Sequence, residues 1–144
     1  MRKVEATSLF YWIAIFSIAA LLSSCKKDKV EPDARTLQLE KLTTTWKVKT
    51  VVNDDEDVTD LYAGFRLIIN QLNYTTENGG NAWPSSGAYD FKGTDLSTLI
   101  RSDNTEIHID EVTASTLILS FNFNTLSSGR TKGVTGDFTF SLIK

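Results

Sequence analysis

The chain has 144 residues, with 15 lysine or arginine and 18 aspartate or glutamate side chains, and a formal net charge of −3 at pH 7. This length favours one domain over two, and the acidic balance argues against the basic face of a nucleic-acid-binding protein. The single cysteine excludes an intramolecular disulfide.

The first 24 residues have the pattern of a secretory signal peptide. Arg2 and Lys3 precede an uncharged, mostly apolar stretch of 14 residues, from Leu9 to Leu22. A transmembrane helix needs about 20 apolar residues, whereas the apolar part of a signal peptide needs only about 7–15. Residues 1–24 are therefore predicted to be a signal peptide.

The segment Leu22-Ser23-Ser24-Cys25 follows the apolar stretch directly. It resembles the lipobox of bacterial lipoproteins, in which a branched apolar residue and two small residues precede a cysteine. The resemblance implies that the Cys25 thiol accepts diacylglycerol and that Cys25 becomes the acylated, palmitate-bearing N-terminus. Stable membrane anchoring takes more than one acyl chain, and a di- or triacylated cysteine meets that condition. The alternative is an ordinary cleavable signal with an incidental cysteine.

The segment after the cysteine is charged, contains Pro32 and lacks periodic apolar residues. Residues 25–36 are therefore predicted to be the acylated cysteine and a flexible tether. Asp33 is a candidate N-cap for a short helix that carries three leucines up to Thr43. The remaining domain is predicted to span residues 37–144.

From Trp46 onward, apolar and polar residues alternate in short runs separated by turn-forming segments. This pattern predicts antiparallel strands with one buried face, arranged as a sandwich or barrel. No long helical segment separates the runs, so a parallel βαβ fold is not expected. One face of the first run is predicted to carry Trp46, Val48, Thr50 and Val52. The predicted runs are 45–52, 65–70, 72–76, 87–91, a short one at 99–101, 106–110, 117–123 and 137–142.

Residues 37–144 resemble the lipocalin-like lipoproteins common in Bacteroidetes, which are calycin-like small β-barrels. The resemblance implies an all-β, antiparallel up-and-down barrel of about eight strands with a short N-terminal helix, and binding of a small apolar molecule. One departure is Thr44, which stands where lipocalins have the glycine of a Gly-x-Trp motif. The residues that carry the resemblance are Leu42, Trp46, Phe65-Arg66-Leu67, Trp83-Pro84, Ser86–Phe91, Leu117–Phe121 and Gly133–Leu142.

Eight bulky aromatic residues are predicted to point into the barrel. An eight-stranded barrel has room for side chains or for one small ligand, and strands of about six residues would make this barrel shallow. Since each ring can bury about 150–250 Å², a filled core is favoured over a ligand pocket. The candidates for either role are Trp46, Phe65, Tyr89, Phe91, Phe121, Phe123, Phe138 and Phe140.

Other groups that could carry chemistry are few. The acidic run from Asn53 to Asp60 lacks the turn glycine and distal glutamate of a calcium loop, so a solvated hairpin is favoured. His108, the only histidine, lies on a predicted polar face without a second metal ligand. Trp83 is either an exposed aromatic that recognises sugar or peptide, or a plug at one end of the barrel. No catalytic residue, metal or cofactor is expected.

Two functions remain open from the sequence. The first is a lipid-anchored envelope protein that binds a small apolar or amphipathic molecule. The second is a non-enzymatic interaction or scaffold module of an outer-membrane complex. The segment Lys26–Lys29 partly resembles surface-export signals, so an outer-membrane location is expected, on either the periplasmic or the surface face.

Overall fold

The structure is a computed structural model, and it describes residues 31–124 and 135–144. The predicted signal peptide, Cys25 and residues 26–30 of the predicted tether lie outside the described residues. Helix α1 spans Ala34–Leu42, and the Asp33 side chain caps it by accepting a hydrogen bond of 2.7 Å from the Thr36 N–H. The predicted N-cap is confirmed, although the helix begins before the predicted domain boundary at residue 37. No helix in the described ranges has the length and apolarity needed to cross a bilayer.

Nine strands follow α1, in the order that the alternation of apolar and polar residues predicts, with one addition. A short 3-10 helix, Thr59–Tyr62, lies between the second and third strands. The strands are β1 (Thr45–Asn53), β2 (Glu56–Asp57), β3 (Arg66–Asn70), β4 (Asn73–Glu77), β5 (Ser86–Lys92), β6 (Asp95–Arg101), β7 (Glu106–Val112), β8 (Thr116–Phe123) and β9 (Gly136–Ile143).

The sheet closes on itself. Consecutive strands from β3 to β9 pair antiparallel, and β1 pairs with both β3 and β9. Eight strands therefore form a closed up-and-down barrel. The short β2 is an additional strand that pairs with the last two residues of β1. The predicted fold class is confirmed. Closure leaves the eight barrel strands without a free edge.

Helix α1 covers one end of the barrel. The Trp46 indole Nε1–H donates a hydrogen bond of 3.0 Å to the Leu42 carbonyl, and the Gln38 amide donates one of 3.3 Å to the Leu96 carbonyl. The Arg35 guanidinium forms an ion pair with Asp90. We call this the helix end. The opposite end, the loop end, carries the 3-10 helix, the connection 78–85 and the β6–β7 turn.

A β-bulge in β1 overturns part of the predicted inner face. The register with β9 shifts between Val48 and Thr50, so the alternation reverses there. Val51 is consequently fully buried and Asn53 is buried, whereas Thr50 and Val52 are only half-buried. The prediction that Thr50 and Val52 share the face of Trp46 is wrong for this reason.

The seam between β1 and β9 depends on a glycine. The Asp54 N–H donates to the Asp137 carbonyl at 2.9 Å, and the Asp137 N–H donates to Asp54 Oδ1 at 2.8 Å. Gly136 has φ +130°, and a Cβ there would lie only 2.2 Å from Asp54 Oδ2. A side chain at position 136 would therefore displace the carboxylate that ties the β1–β2 turn to β9.

Candidate functional site

The predicted inner aromatics belong to the core of the barrel or pack against it. Seven of the eight are buried, and Phe123, near the loop end of β8, is half-buried. Phe140 is fully buried, and its ring centroid lies 5.0 Å from that of Tyr62 and 5.2 Å from that of Phe65. Phe121 stacks on Phe140 at 5.7 Å. These separations are typical of packed aromatic pairs, so rings fill the loop half of the barrel.

Little free space remains beside these rings. The interior cavity between the helix end and Trp83 has a volume of about 10 Å³, roughly the space of one water molecule and far below the ~300 Å³ of a ligand pocket. The structure therefore has a filled core rather than an open calyx. The cavity is lined by Leu42, Leu67, Ile69, Tyr74, Trp83, Tyr89, Leu99, Arg101, Ile107 and Leu119.

Trp83 is a buried residue and not an exposed aromatic. Only 4% of its surface is accessible, because the connection 78–85 folds inward and carries the indole into the barrel mouth. The backbone N–H of Trp83 donates to the Gly79 carbonyl at 3.1 Å, and the indole meets the Tyr74 and Phe121 rings edge-on at 5.7 and 5.4 Å. The prediction of an exposed site at Trp83 is therefore wrong, and the alternative of a plug fits the geometry.

The plugged indole has one unsatisfied group. Trp83 Nε1 is buried without a hydrogen-bond partner, and no other buried side-chain polar atom in residues 31–124 and 135–144 shares that condition. A buried donor without a partner costs about 1–3 kcal/mol. The closed loop end thus carries a local energetic penalty at Trp83.

Arg101 is a functional candidate that the sequence reasoning missed. Its side chain is 1% exposed at the loop end of β6, where it points inward like Leu99 two residues earlier. A buried charge is tolerated only with partners. Arg101 Nη1 donates to the Ala82 carbonyl at 2.8 Å, Nε donates to Asp103 Oδ1 at 3.1 Å, and Nη2 donates to Asp103 Oδ2 and to Thr105 Oγ1.

The guanidinium also touches the aromatic cluster. Arg101 Cζ lies 5.1 Å from the Trp83 ring centroid and 5.8 Å from that of Phe121, within the range of cation–π attraction. Arg101 therefore joins three parts of the loop end: the connection 78–85, the β6–β7 turn and β8. The signal in the sequence is an arginine at an inward position of an alternating strand.

The Arg101–Asp103 pair predicts acid sensitivity. Partial burial alone would raise the pKa of Asp103, but hydrogen bonds from Arg101 and Thr105 outweigh burial and lower the pKa from the ordinary 3.8 to about 2. A carboxyl with a lowered folded-state pKa stabilises the fold above pH 3.8, and this contribution is lost as the pH falls towards 2. We expect the urea midpoint to fall less over this window in Asp103→Asn than in wild type.

Asp103→Asn should still lose some stability as the pH falls, because other carboxyls remain. Hydrogen bonds from Ser97 and Thr98 also lower the pKa of Asp95 to about 2. Equal acid sensitivity of Asp103→Asn and wild type would contradict the assignment to Asp103.

The remaining polar candidates lie outside the barrel. His108 is exposed on β7, and its Nδ1 lies 3.3 Å from Thr98 Oγ1, which in turn donates to Asp95. The residues from Asp54 to Asp57 form an exposed hairpin turn, as the solvated-hairpin prediction has it. Across the described part of the chain, no three histidine, cysteine or acidic side chains come together in a way that could hold a metal ion.

The loop end thus combines a buried cation, an unsatisfied indole N–H and an apolar interior. In this closed arrangement the guanidinium donors are taken by Ala82, Asp103 and Thr105, and the loop end offers no nucleophile paired with a base among the residues described. Comparison with family models, curated proteins and solved structures finds no match for this chain.

Proposed function

We propose that the chain is a lipid-anchored protein of the bacterial cell envelope, related to the lipocalin-like lipoproteins of Bacteroidetes, and that its barrel binds a small apolar or amphipathic molecule. The sequence from Leu22 to Cys25 supports the anchor. The closed barrel of eight strands, with a helix over one end, supports the relationship.

The observation that carries the binding proposal is the construction of the loop end. Each of the eight barrel strands begins or ends there, and the connection 78–85 reaches into an apolar interior. Barrels of this size hold at most one small ligand. A ligand would therefore occupy the space that Trp83 now fills.

A second candidate function is a scaffold whose loops dock an envelope protein. The filled interior favours it, since a cavity of about 10 Å³ holds no organic molecule. Fold alone does not decide between binder and scaffold. Native mass spectrometry of the full chain extracted from its own membranes distinguishes them: a co-purifying small molecule supports binding, and a stoichiometric protein partner on an empty chain supports the scaffold.

The anchor makes a separate prediction. Cys25→Ala removes the thiol that would accept diacylglycerol, so we expect the variant to be absent from the mature, membrane-bound pool and to appear unprocessed or soluble. Ser23→Ala, which keeps a small residue in the same motif, is the matched control and should fractionate with membranes. Cell fractionation with immunoblotting measures both, and normal membrane fractionation of Cys25→Ala would rule out acylation.

The location in the outer membrane is also a proposal. Protease treatment of intact cells tests the face, because only a surface-exposed barrel is accessible to protease without permeabilisation.

A further inference from the structure

We propose that residues 78–85, here called the plug, are displaced when the protein binds its ligand, and that this ligand is an amphipathic carboxylate whose headgroup pairs with Arg101. The inference rests on the proposed binding function and names its ligand class. It joins three features of the loop end: a segment outside the sheet, an indole with an unsatisfied donor, and a buried cation with a proton donor aimed at that segment.

The plug is attached at its base and at its tip. At the base, the Asn78 amide donates to the Gly64 carbonyl at 3.2 Å. The Thr76 N–H donates to the Ser85 carbonyl at 2.9 Å, and Thr76 Oγ1 donates to the Pro84 carbonyl at 2.8 Å. Beyond these, the β4–β5 ladder pairs only 73–75 with 86–88. The tip is held by the Ala82 carbonyl, which accepts from Arg101, and by packing of the Trp83 indole against four aromatic rings. The plug can therefore move without breaking the barrel ladder.

The closed state leaves the indole N–H of Trp83 without a hydrogen-bond acceptor. Displacing the plug would bring Trp83 Nε1, buried now without a partner, into contact with water. Opening thus recovers a hydrogen bond that the closed state lacks. The small cavity beneath the indole, lined by apolar atoms of Leu67, Ile107 and Leu119 among others, would join the vacated space.

Arg101 is the group that selects the ligand. When the plug leaves, Nη1 loses the Ala82 carbonyl and the guanidinium loses the Trp83 ring, while Asp103 still holds Nε and Nη2. One strong donor then faces an apolar interior. A carboxylate oxygen accepts from such a donor through a charge-assisted hydrogen bond, and its hydrocarbon tail replaces the buried indole. A cationic headgroup has no lone pair to accept from that donor.

Calorimetric titration of the full chain in lipid nanodiscs tests this inference, with empty nanodiscs as the blank and three ligands of equal tail length as probes: octanoate, octan-1-ol and octylammonium. We expect saturable binding of octanoate, about tenfold tighter than that of octan-1-ol, and none of octylammonium. Equal affinity for octanoate and octan-1-ol would overturn the role of Arg101 while leaving barrel binding intact. Absence of binding by all three would overturn the inference and the binding function together.

Two variants test the parts separately. Arg101→Met keeps an unbranched side chain but removes the donor, so the preference for octanoate over octan-1-ol should vanish. Gly79→Ala puts a Cβ 2.7 Å from both the Cβ and the backbone carbonyl of Trp83, so it strains the closed conformation of the plug. Octanoate should then bind several-fold tighter, because opening the plug costs less free energy. Gly93→Ala is the matched control: its backbone has φ +60° with no atom near the added Cβ, in a turn at the helix end.

The Gly93→Ala variant should lose stability without a change in octanoate affinity. If Gly79→Ala binds octanoate no tighter than Gly93→Ala does, the plug does not gate the site and the inference fails. The comparison of ligands on the unmodified chain keeps the test decisive even if Arg101→Met does not fold.

Discussion

Phe140→Ala is expected to lower the free energy of unfolding by about 3–5 kcal/mol. Phe140 is completely buried near the middle of β9, and its ring contacts rings from four other segments of the chain. Truncation removes these contacts and leaves a cavity that a closed barrel cannot collapse around, because the hydrogen-bonded strands fix the distance between opposite walls. The rings in contact are those of Tyr62, Phe65, Trp83 and Phe121, with Phe138 on the same strand.

Phe123→Ala is the matched control for this prediction. Phe123 also belongs to the predicted inner set, but it is only half-buried near the end of β8. Its truncation should therefore cost much less than that of Phe140. Urea denaturation followed by circular dichroism gives both values. Similar losses in the two variants would show that the aromatic cluster around Phe140 is not the stabilising centre of the barrel.

The barrel itself could be predicted from the sequence because strand periodicity is a local property. Side chains alternate between the two faces of a strand, so Leu117, Leu119 and Phe121 identify their own inner face without reference to the rest of the chain. The structure buries all three. The same reasoning predicted only residues 99–101 for β6, which spans Asp95–Arg101. Aspartate is typical of turns, so the start of the strand at Asp95 was not predicted.

The local signal fails where backbone geometry changes between neighbours. The bulge between Val48 and Thr50 inserts one residue into β1 and turns Val51 inward. The composition of the segment gives no sign of this shift, because Val51 and Val52 are chemically identical. Pairing with β9, nearly 90 positions away, determines which of the two valines is buried.

The candidate site was still harder to predict, because its parts come from distant positions. Arg101 needs the Ala82 carbonyl from another connection, and Trp83 reaches Phe121 and Phe140 on β8 and β9. A tryptophan before a proline in a glycine-containing loop is compatible with exposure or burial. The decision depends on whether the barrel mouth is wide enough to accept the indole, which only the closed sheet defines.

The buried guanidinium of Arg101 contributes to the stability of the barrel. Arg101→Ala should lower the free energy of unfolding by about 2–4 kcal/mol. The substitution leaves the Ala82 carbonyl without its donor, removes the cation from the Trp83 and Phe121 rings, and opens space in the barrel mouth. The loss is expected below that of a fully buried ion pair, because the Asp103 side chain is 40% exposed and can be hydrated.

Arg66→Ala is the matched control, since Arg66 forms an ion pair of 3.5 Å with Glu77 on the outer face and both side chains are about half exposed. Exposed pairs contribute about 0–1 kcal/mol, so this variant should stay close to wild type in urea, which does not screen charge. Arg101→Met separates the two causes of the loss at position 101. Because methionine refills part of the space without restoring the donor, the stability of Arg101→Met should fall between those of Arg101→Ala and wild type. Equal losses in Arg101→Ala and Arg66→Ala would mean that the guanidinium in the barrel mouth contributes no more than a surface charge, and that the closed loop end is held by the packing of Trp83 alone.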